Sequence, residues 1–283
     1  MARRIISKEE WKLFINEHTE KMLSLKAICK KYNLVYGTLY YGLIRKGVTP
    51  DTSLTSAFDR RHFDVKDDFF SVIDTEEKAY ILGFLIADGS IDRKRGRITL
   101  KLKEEDKYMV EAVKNIIAPQ YKLSKDSSNL KYLNGVDKTF ISYRAEIKSD
   151  QLVSDLIALG VNPRKTSNEV LPLIDKRFEH HMIRGIFDGD GSISANTRGR
   201  FNLSICCTNK KFLEDIQAIV KGFVYTEKRP GLDMYRLVFT NKTTRQSFID
   251  YIYKDATIYL KRKYSRACRY TNTVEILNDE RTP

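Results

Sequence analysis

Gly83-Phe84-Leu85-Ile86-Ala87-Asp88-Gly89-Ser90-Ile91 returns about a hundred residues later as Gly185-Ile186-Phe187-Asp188-Gly189-Asp190-Gly191-Ser192-Ile193. In both copies an apolar run leads to a small residue, an aspartate, a glycine and a serine. The match spreads outward from there. After one inserted residue, Gly96-Arg97-Ile98-Thr99-Leu100-Lys101-Leu102 matches Gly199-Arg200-Phe201-Asn202-Leu203-Ser204-Ile205. Lys107-Tyr108-Met109-Val110-Glu111 meets Lys210-Lys211-Phe212-Leu213-Glu214, Tyr143-Arg144 meets Tyr235-Arg236, and Arg164-Lys165 meets Arg262-Lys263. Chance does not hold apolar, polar and glycine positions in step through so many segments. The chain contains an internal duplication.

Each copy reads as helix, two strands, helix, two strands, helix. The first helix is expected to stop at the Asp-Gly pair, with the glycine left-handed. The next strand alternates: Ile98, Leu100 and Leu102 on one face, Arg97, Thr99, Lys101 and Lys103 on the other. The second copy sets Phe201, Leu203 and Ile205 against Arg200, Asn202, Ser204 and Cys206. Ser142, Arg144, Glu146 and Lys148 likewise alternate with Ile141, Tyr143, Ala145 and Ile147. Period-two patterning means one face on a core and one open. An open face is usually only solvated. Here it is basic in the first copy and rich in hydrogen-bonding groups in both, which suits reading base edges in a major groove.

Ile81-Leu82-Gly83-Phe84-Leu85-Ile86-Ala87-Asp88-Gly89 and Ile183-Arg184-Gly185-Ile186-Phe187-Asp188-Gly189-Asp190-Gly191 resemble the paired motif of the LAGLIDADG homing endonucleases. The resemblance spans residues 76–275. It implies an α+β fold of two pseudo-symmetric αββαββα half-domains, 76–170 and 171–275, with saddle-shaped antiparallel sheets. Gly83 and Gly185 would let two helix backbones touch, and the small Ala87 and Gly189 would keep the helix ends close. The family pattern implies catalytic Asp88 and Asp190, with divalent metal held at Asp88, Asp190, Ala87 and Gly189. The cofactor would be Mg2+ or Mn2+, with Ca2+ able to bind without supporting cleavage. Oxygen ligands of this kind suit such ions, and metal-assisted water attack suits phosphodiester hydrolysis. The implied activity is site-specific double-strand DNA cleavage by a monomer. The pattern also carries a basic catalytic residue late in each half, which falls on Lys165 and Lys263, with Lys261 competing for the second place. Asp188, where the first copy has Ile86, receives no catalytic role. His180 and His181 are expected at the surface ahead of the second motif helix.

The expected DNA contacts are Arg93, Arg95, Arg97, Thr99, Lys101, Lys103 and Arg144 in the first half. In the second half they are Arg198, Arg200, Asn202, Ser204 and Arg236. Residues 1–52 read as a small all-α module. Ser7-Lys8-Glu9-Glu10 looks like a capped helix start, and residues 25–34 and 37–47 look like a helix-turn-helix. Its second helix would offer Tyr40, Arg45 and Lys46 to a groove, with Tyr36, Thr38 and Tyr41 beside them. Residues 53–75 read as a linker and 276–283 as a tail.

Composition bounds these readings. The 283 residues carry 50 Lys and Arg against 37 Asp and Glu, a net charge of +13 that attracts polyanions. No apolar stretch approaches a membrane span, and the start lacks the apolar run of a secretion signal. A cytoplasmic or organelle-matrix protein is expected. Cys29, Cys206, Cys207 and Cys268 lack metal-site spacing and are expected as free thiols. Two rivals share the fold: an RNA-binding intron maturase and a cleavage-inactive DNA-binding regulator.

Overall fold

The computed structural model describes residues 6–54, 64–131, 137–163, 168–195 and 201–271. Three helices come first: α1 (Lys8–Thr19), α2 (Leu25–Tyr32) and α3 (Tyr36–Arg45). The expected cap is present, since Ser7 accepts from the Glu10 amide while the Glu10 carboxylate accepts from the Ser7 amide. Asn33 takes the left-handed conformation and turns the chain between α2 and α3. Phe14, Leu25, Ile28, Leu39 and Leu43 form a core separate from that of the rest of the chain.

The first half follows as α4 (Glu76–Asp88), β1 (Gly89–Asp92), β2 (Arg97–Lys103), α5 (Lys107–Ile117), β3 (Ser124–Lys131), β4 (Asp137–Lys148) and α6 (Asp150–Ala158). The second comprises α7 (Lys176–Asp190), β5 (Gly191–Ala195), β6 (Phe201–Cys207), α8 (Lys210–Val220), β7 (Phe223–Glu227), β8 (Met234–Val238) and α9 (Lys242–Tyr253). A further helix, α10 (Lys261–Thr271), closes the described chain. Each half holds a four-stranded antiparallel sheet, ordered β1-β2-β4-β3 and β5-β6-β8-β7. The apolar face of each strand packs on helices: Ile98, Leu100 and Ile147 with Met109, Val113 and Leu152, and Leu203, Ile205 and Leu237 with Phe212, Ile216 and Phe248. The fold is the α+β pair of repeats that the sequence implied.

Four expectations need correction. Residues 64–75 are not simply a linker: Phe69, Phe70 and Ile73 are buried in the main core, and the Lys66 amide bonds the Ile117 carbonyl. The charged residues among them hid an apolar set that the half-domain needs. Gly89 and Gly191 are extended, not left-handed (φ −75° and −78°), because each helix runs straight into its strand. Glycine is needed there for space, since a Cβ would lie 2.6 Å from the Leu85 carbonyl oxygen or 2.3 Å from that of Phe187. His180 and His181 lie inside α7, and His181 is 6% exposed. Finally, the strand match slips by two residues: Gly89 pairs with Leu100, but Gly191 pairs with Ile205 rather than Leu203. Thr99 thus corresponds to Ser204 and Lys101 to Cys206, while Arg144 and Arg236 remain equivalent, facing Lys101 and Cys206. A slip of two keeps every side chain on its face. The turn at Glu104–Asp106 restores the phase before α5.

Candidate functional site

The two motif helices meet backbone to backbone. A Cβ on Gly83 would sit 2.0 Å from the Met182 carbonyl oxygen, and one on Gly185 would sit 2.1 Å from that of Tyr80. At the far end a Cβ on Gly189 would be 2.2 Å from the Ala87 Cβ and 3.3 Å from Asp88 Oδ2. The contact therefore runs down to the last turn and sets Asp88 beside the end of α7, which carries Asp190. Both acids are exposed while the residues before them are largely buried. Two helix C-termini converge here, and their carbonyl ends favour a cation.

Lys263, from α10, reaches this spot from beneath. It is 4% exposed, and its ammonium donates to the carbonyls of Phe187 (2.7 Å), Gly189 (3.1 Å) and Gly191 (2.6 Å). Burial pushes its pKa down to about 8, against the opposing pull of Asp188 and, more weakly, Asp88 and Asp190. The lysine caps the α7 carbonyls and shares an electrostatic neighbourhood with both acids. The competing Lys261 lies over the Tyr108 ring instead, 5.2 Å from its centroid. Lys165 falls outside the described residues.

Asp188, passed over in the sequence, is fully buried. Burial raises its pKa to about 6. Its Oδ2 accepts from the Tyr80 hydroxyl (2.8 Å) and the Leu260 amide (2.7 Å). One turn earlier, Arg184 is equally buried and donates to the carbonyls of Ile252 (2.8 Å) and Ile258 (3.0 Å), to His181 Nδ1 (2.8 Å) and to Glu76 (2.5 Å). Glu76 in turn accepts from the Thr257 hydroxyl and the amides of Thr257 and Ile258. α7 thus grips residues 252–260, the segment that leads into Lys263. The only sequence signal for this was a pair of charges in the otherwise uncharged stretch from Met182 to Gly189.

The donor set fits a hard divalent cation. It offers two exposed carboxylates and helix-end carbonyls, all oxygen, leaving most coordination positions to water and phosphate, as magnesium prefers. The Gly189 carbonyl already accepts from Lys263. No cluster of three or more His, Cys, Asp or Glu side chains that could hold a metal ion occurs among the described residues, and Cys29, Cys206, Cys207 and Cys268 are free thiols.

The expected DNA contacts divide between the two sheets. In the first, Arg97, Thr99, Lys101, Lys103 and Arg144 share the open face, but acids share it too. Lys101 stands opposite Arg144, a repulsive pairing, relieved by Asp126 at 2.9 and 3.7 Å. Arg97 pairs with Glu146 at 2.9 Å. This face is a charge lattice, less basic than its cations alone suggest. Arg95, in the turn after β1, lies near Asp92, while Arg93 donates to the Glu20 carbonyl of the N-terminal module at 2.7 Å. In the second sheet the face is mostly neutral: Asn202, Ser204, Ser192 and Ser194 line an open cleft of about 930 Å³ with Arg236. Arg236 bonds Glu227 at 2.6 Å and Cys206 Sγ at 2.8 Å. Ser192, Ser194 and Tyr225, not expected there from the sequence, line the same cleft. Arg198 and Arg200 lie outside the described residues. Arg45 and Lys46 are exposed at the end of α3, with Tyr40 half-buried.

Residues 177–253 match the model of the LAGLIDADG-like domain, and residues 77–156 match that of the WhiA LAGLIDADG-like domain. The uncharacterized protein MJ0314 of Methanocaldococcus jannaschii is 26% identical over 148 residues, covering 50% of this chain and 51% of that protein. This chain therefore spans about half the length of its curated relative. Among solved structures, the homing endonuclease I-SmaMI bound to cleaved DNA is similar at 14% identity, over 71% of this chain and 89% of that one, with a TM-score of 0.44. I-WcaI bound to its DNA recognition sequence gives 11% identity, 76% and 97% coverage and a TM-score of 0.45. Full-length DUF199/WhiA from Thermotoga maritima gives 16%, 76% and 67%, with 0.43.

Proposed function

The chain belongs to the LAGLIDADG family, with one family domain in each half, and on that premise we propose that it is a site-specific endonuclease cutting both strands of duplex DNA. The observation that carries this reading is the delivery of Asp88 and Asp190 to one place by glycine-mediated helix contact, with Lys263 beneath. Asp88 and Asp190 would hold magnesium or manganese, which when bound supplies Lewis-acid stabilisation of charge on the scissile phosphodiester. The chain's own residues do the positioning. Lys263 fixes the end of α7, and with it Asp190, by holding three carbonyls. The sheet faces orient the duplex through side chains directed at base edges and phosphates. The basic net charge draws the polyanion in. The exposed end of α3, with Arg45 and Lys46, would add a groove or backbone contact.

The test is cleavage of a randomised duplex library in magnesium, with the cut ends sequenced. Wild-type protein should release ends at a recurring sequence. Asp88→Asn and Asp190→Asn should each lose more than the roughly 10–100-fold that removal of an outer-shell partner costs, while duplex binding persists. Calcium should support binding without cleavage. Sequence-selective binding with no ends released by wild type would replace this reading with a cleavage-inactive regulator. A preference for structured RNA would replace it with a maturase.

A further inference from the structure

The corner where each sheet hands over to its last helix differs sharply between the halves. Ser149 and Asn241 are the N-caps of α6 and α9, each accepting from an amide three residues on. This makes Asp150 equivalent to Lys242, Val153 to Arg245 and Ser154 to Gln246. In the first half the corner is acidic, with Asp150 and Asp155, and it is filled. The N-terminal module covers it: Lys31 donates to Gln151 at 2.9 Å, the Ser154 hydroxyl bonds the Lys21 carbonyl at 3.4 Å, and Arg93 holds Glu20. Burial there raises the Asp155 pKa, against the pull of Lys21 and Lys31.

In the second half the corner is basic and open. Lys242, Arg245 and Gln246 form one wall of the 930 Å³ cleft whose floor is the neutral face with Asn202 and Ser204. Lys242 is exposed, and the first turn of α9 has no acid. The Arg245 guanidinium is braced by the Thr240 carbonyl at 3.1 Å and lies over the Phe201 ring. We propose that this corner is a clamp for the phosphate backbone of duplex DNA, continuous with the second half's base-reading face and extending its footprint outward. It is the counterpart of the place the module occupies in the first half. The inference rests on the reading that the chain binds duplex DNA. The charge favours phosphate: an acidic corner received a basic module, and a basic corner with the serine hydroxyls and the Asn202 amide beside it suits an anion, the Gln246 amide being bonded to Asp250 at 2.7 Å.

A phosphate contact carries no sequence information and is read as salt dependence, with the slope of log K against log salt changing by about 0.9 per contact. Binding of a labelled mixed-sequence duplex is therefore measured across salt for wild type, Lys242→Ala, Lys242→Glu and the Lys242→Ala/Arg245→Ala double variant. The comparison protein is Lys210→Ala/Lys211→Ala, which removes two cations already paired with Glu214 and Asp215 on α8. Lys242→Ala should reduce the slope by about 1 and the double variant by about 2. Lys242→Glu should bind more weakly than Lys242→Ala, and the α8 variant should follow wild type. Because Arg245 also braces the fold, the two single Lys242 variants decide the matter if the double variant unfolds. Wild-type slopes in both Lys242 variants would overturn the clamp while leaving DNA binding intact. Absence of binding by wild type itself would overturn both.

Discussion

The two motif helices share a backbone and differ in what they bury. α4 is apolar from Ala79 to Ala87 and buried throughout, so its burial is simply favourable. α7 holds Arg184 where α4 has Leu82, and Asp188 where α4 has Ile86. Both charges are sealed from water and satisfied mainly by partners outside the helix, most of these in residues 252–260. Buried ion pairs of this kind add little net stability over an apolar replacement, yet are costly to leave half-made. The difference teaches that backbone symmetry at the interface coexists with asymmetric anchoring. One helix is held by packing and the other also clasps the segment that delivers Lys263.

The largest effect should come from giving α7 the residue α4 has. Arg184→Leu would take from Glu76 its arginine partner and from the Ile252 and Ile258 carbonyls their guanidinium donor, costing about 3–5 kcal/mol in urea unfolding. Adding Glu76→Gln should return part of that loss. A single variant as stable as wild type would erase the asymmetry. The second test sharpens the symmetric side. Gly83→Ala and Gly185→Ala each drive a methyl into a carbonyl of the facing helix, so both should lose about 1–3 kcal/mol or more. The two losses should be similar, and a large inequality would mean that the helices do not contact as equals.

The smallest effect is in pH. Burial, with the charges of Arg184 and His180, pushes the His181 pKa from 6.5 to about 4. A base depressed on folding contributes stability that is complete above its unfolded value and lost as pH falls through its folded one. Stability should therefore decline as pH falls from 6.5 toward 4. α4 has Ala79 at that position, and His181→Ala should flatten this part of the profile even though it lowers stability overall. An unchanged slope would assign the titration to other groups.

What could be read in the sequence was local. The glycine, small residue and aspartate of each motif lie within one helix, so their requirement for close contact shows in a few consecutive positions. Period-two alternation gave the buried and open faces of β2 and β6, and it also concealed the two-residue slip, since such a slip leaves the faces unchanged. The partners of Arg184 and Asp188 lie about seventy residues onward, in residues 252–260, or 108 residues back, at Glu76 and Tyr80, and no periodicity links residues so far apart. Phe69, Phe70 and Ile73 were obscured by Asp64, Lys66, Asp67 and Asp68, which give a core-forming segment the look of a linker. The same-face acids Asp92, Asp126 and Glu146 were visible as residues, but their neutralising role required cross-strand register.

The clasp by residues 252–260 has a consequence for the order in which the molecule is made. During synthesis, N-terminal units fold first. The N-terminal module has its own core and α4 is apolar, so both are ready early. α7 emerges carrying an arginine and an aspartate for which Glu76 and Tyr80 are already made, while their partners in residues 252–260 are not yet translated. Until those residues arrive, docking α7 fully against α4 would seal two charges with only part of their partners, and the growing polypeptide favours leaving the second half undocked. Asp88 and Asp190 are favoured to meet only once the later segment has been made, so a ribosome-bound intermediate is disfavoured from bringing the two acids together early.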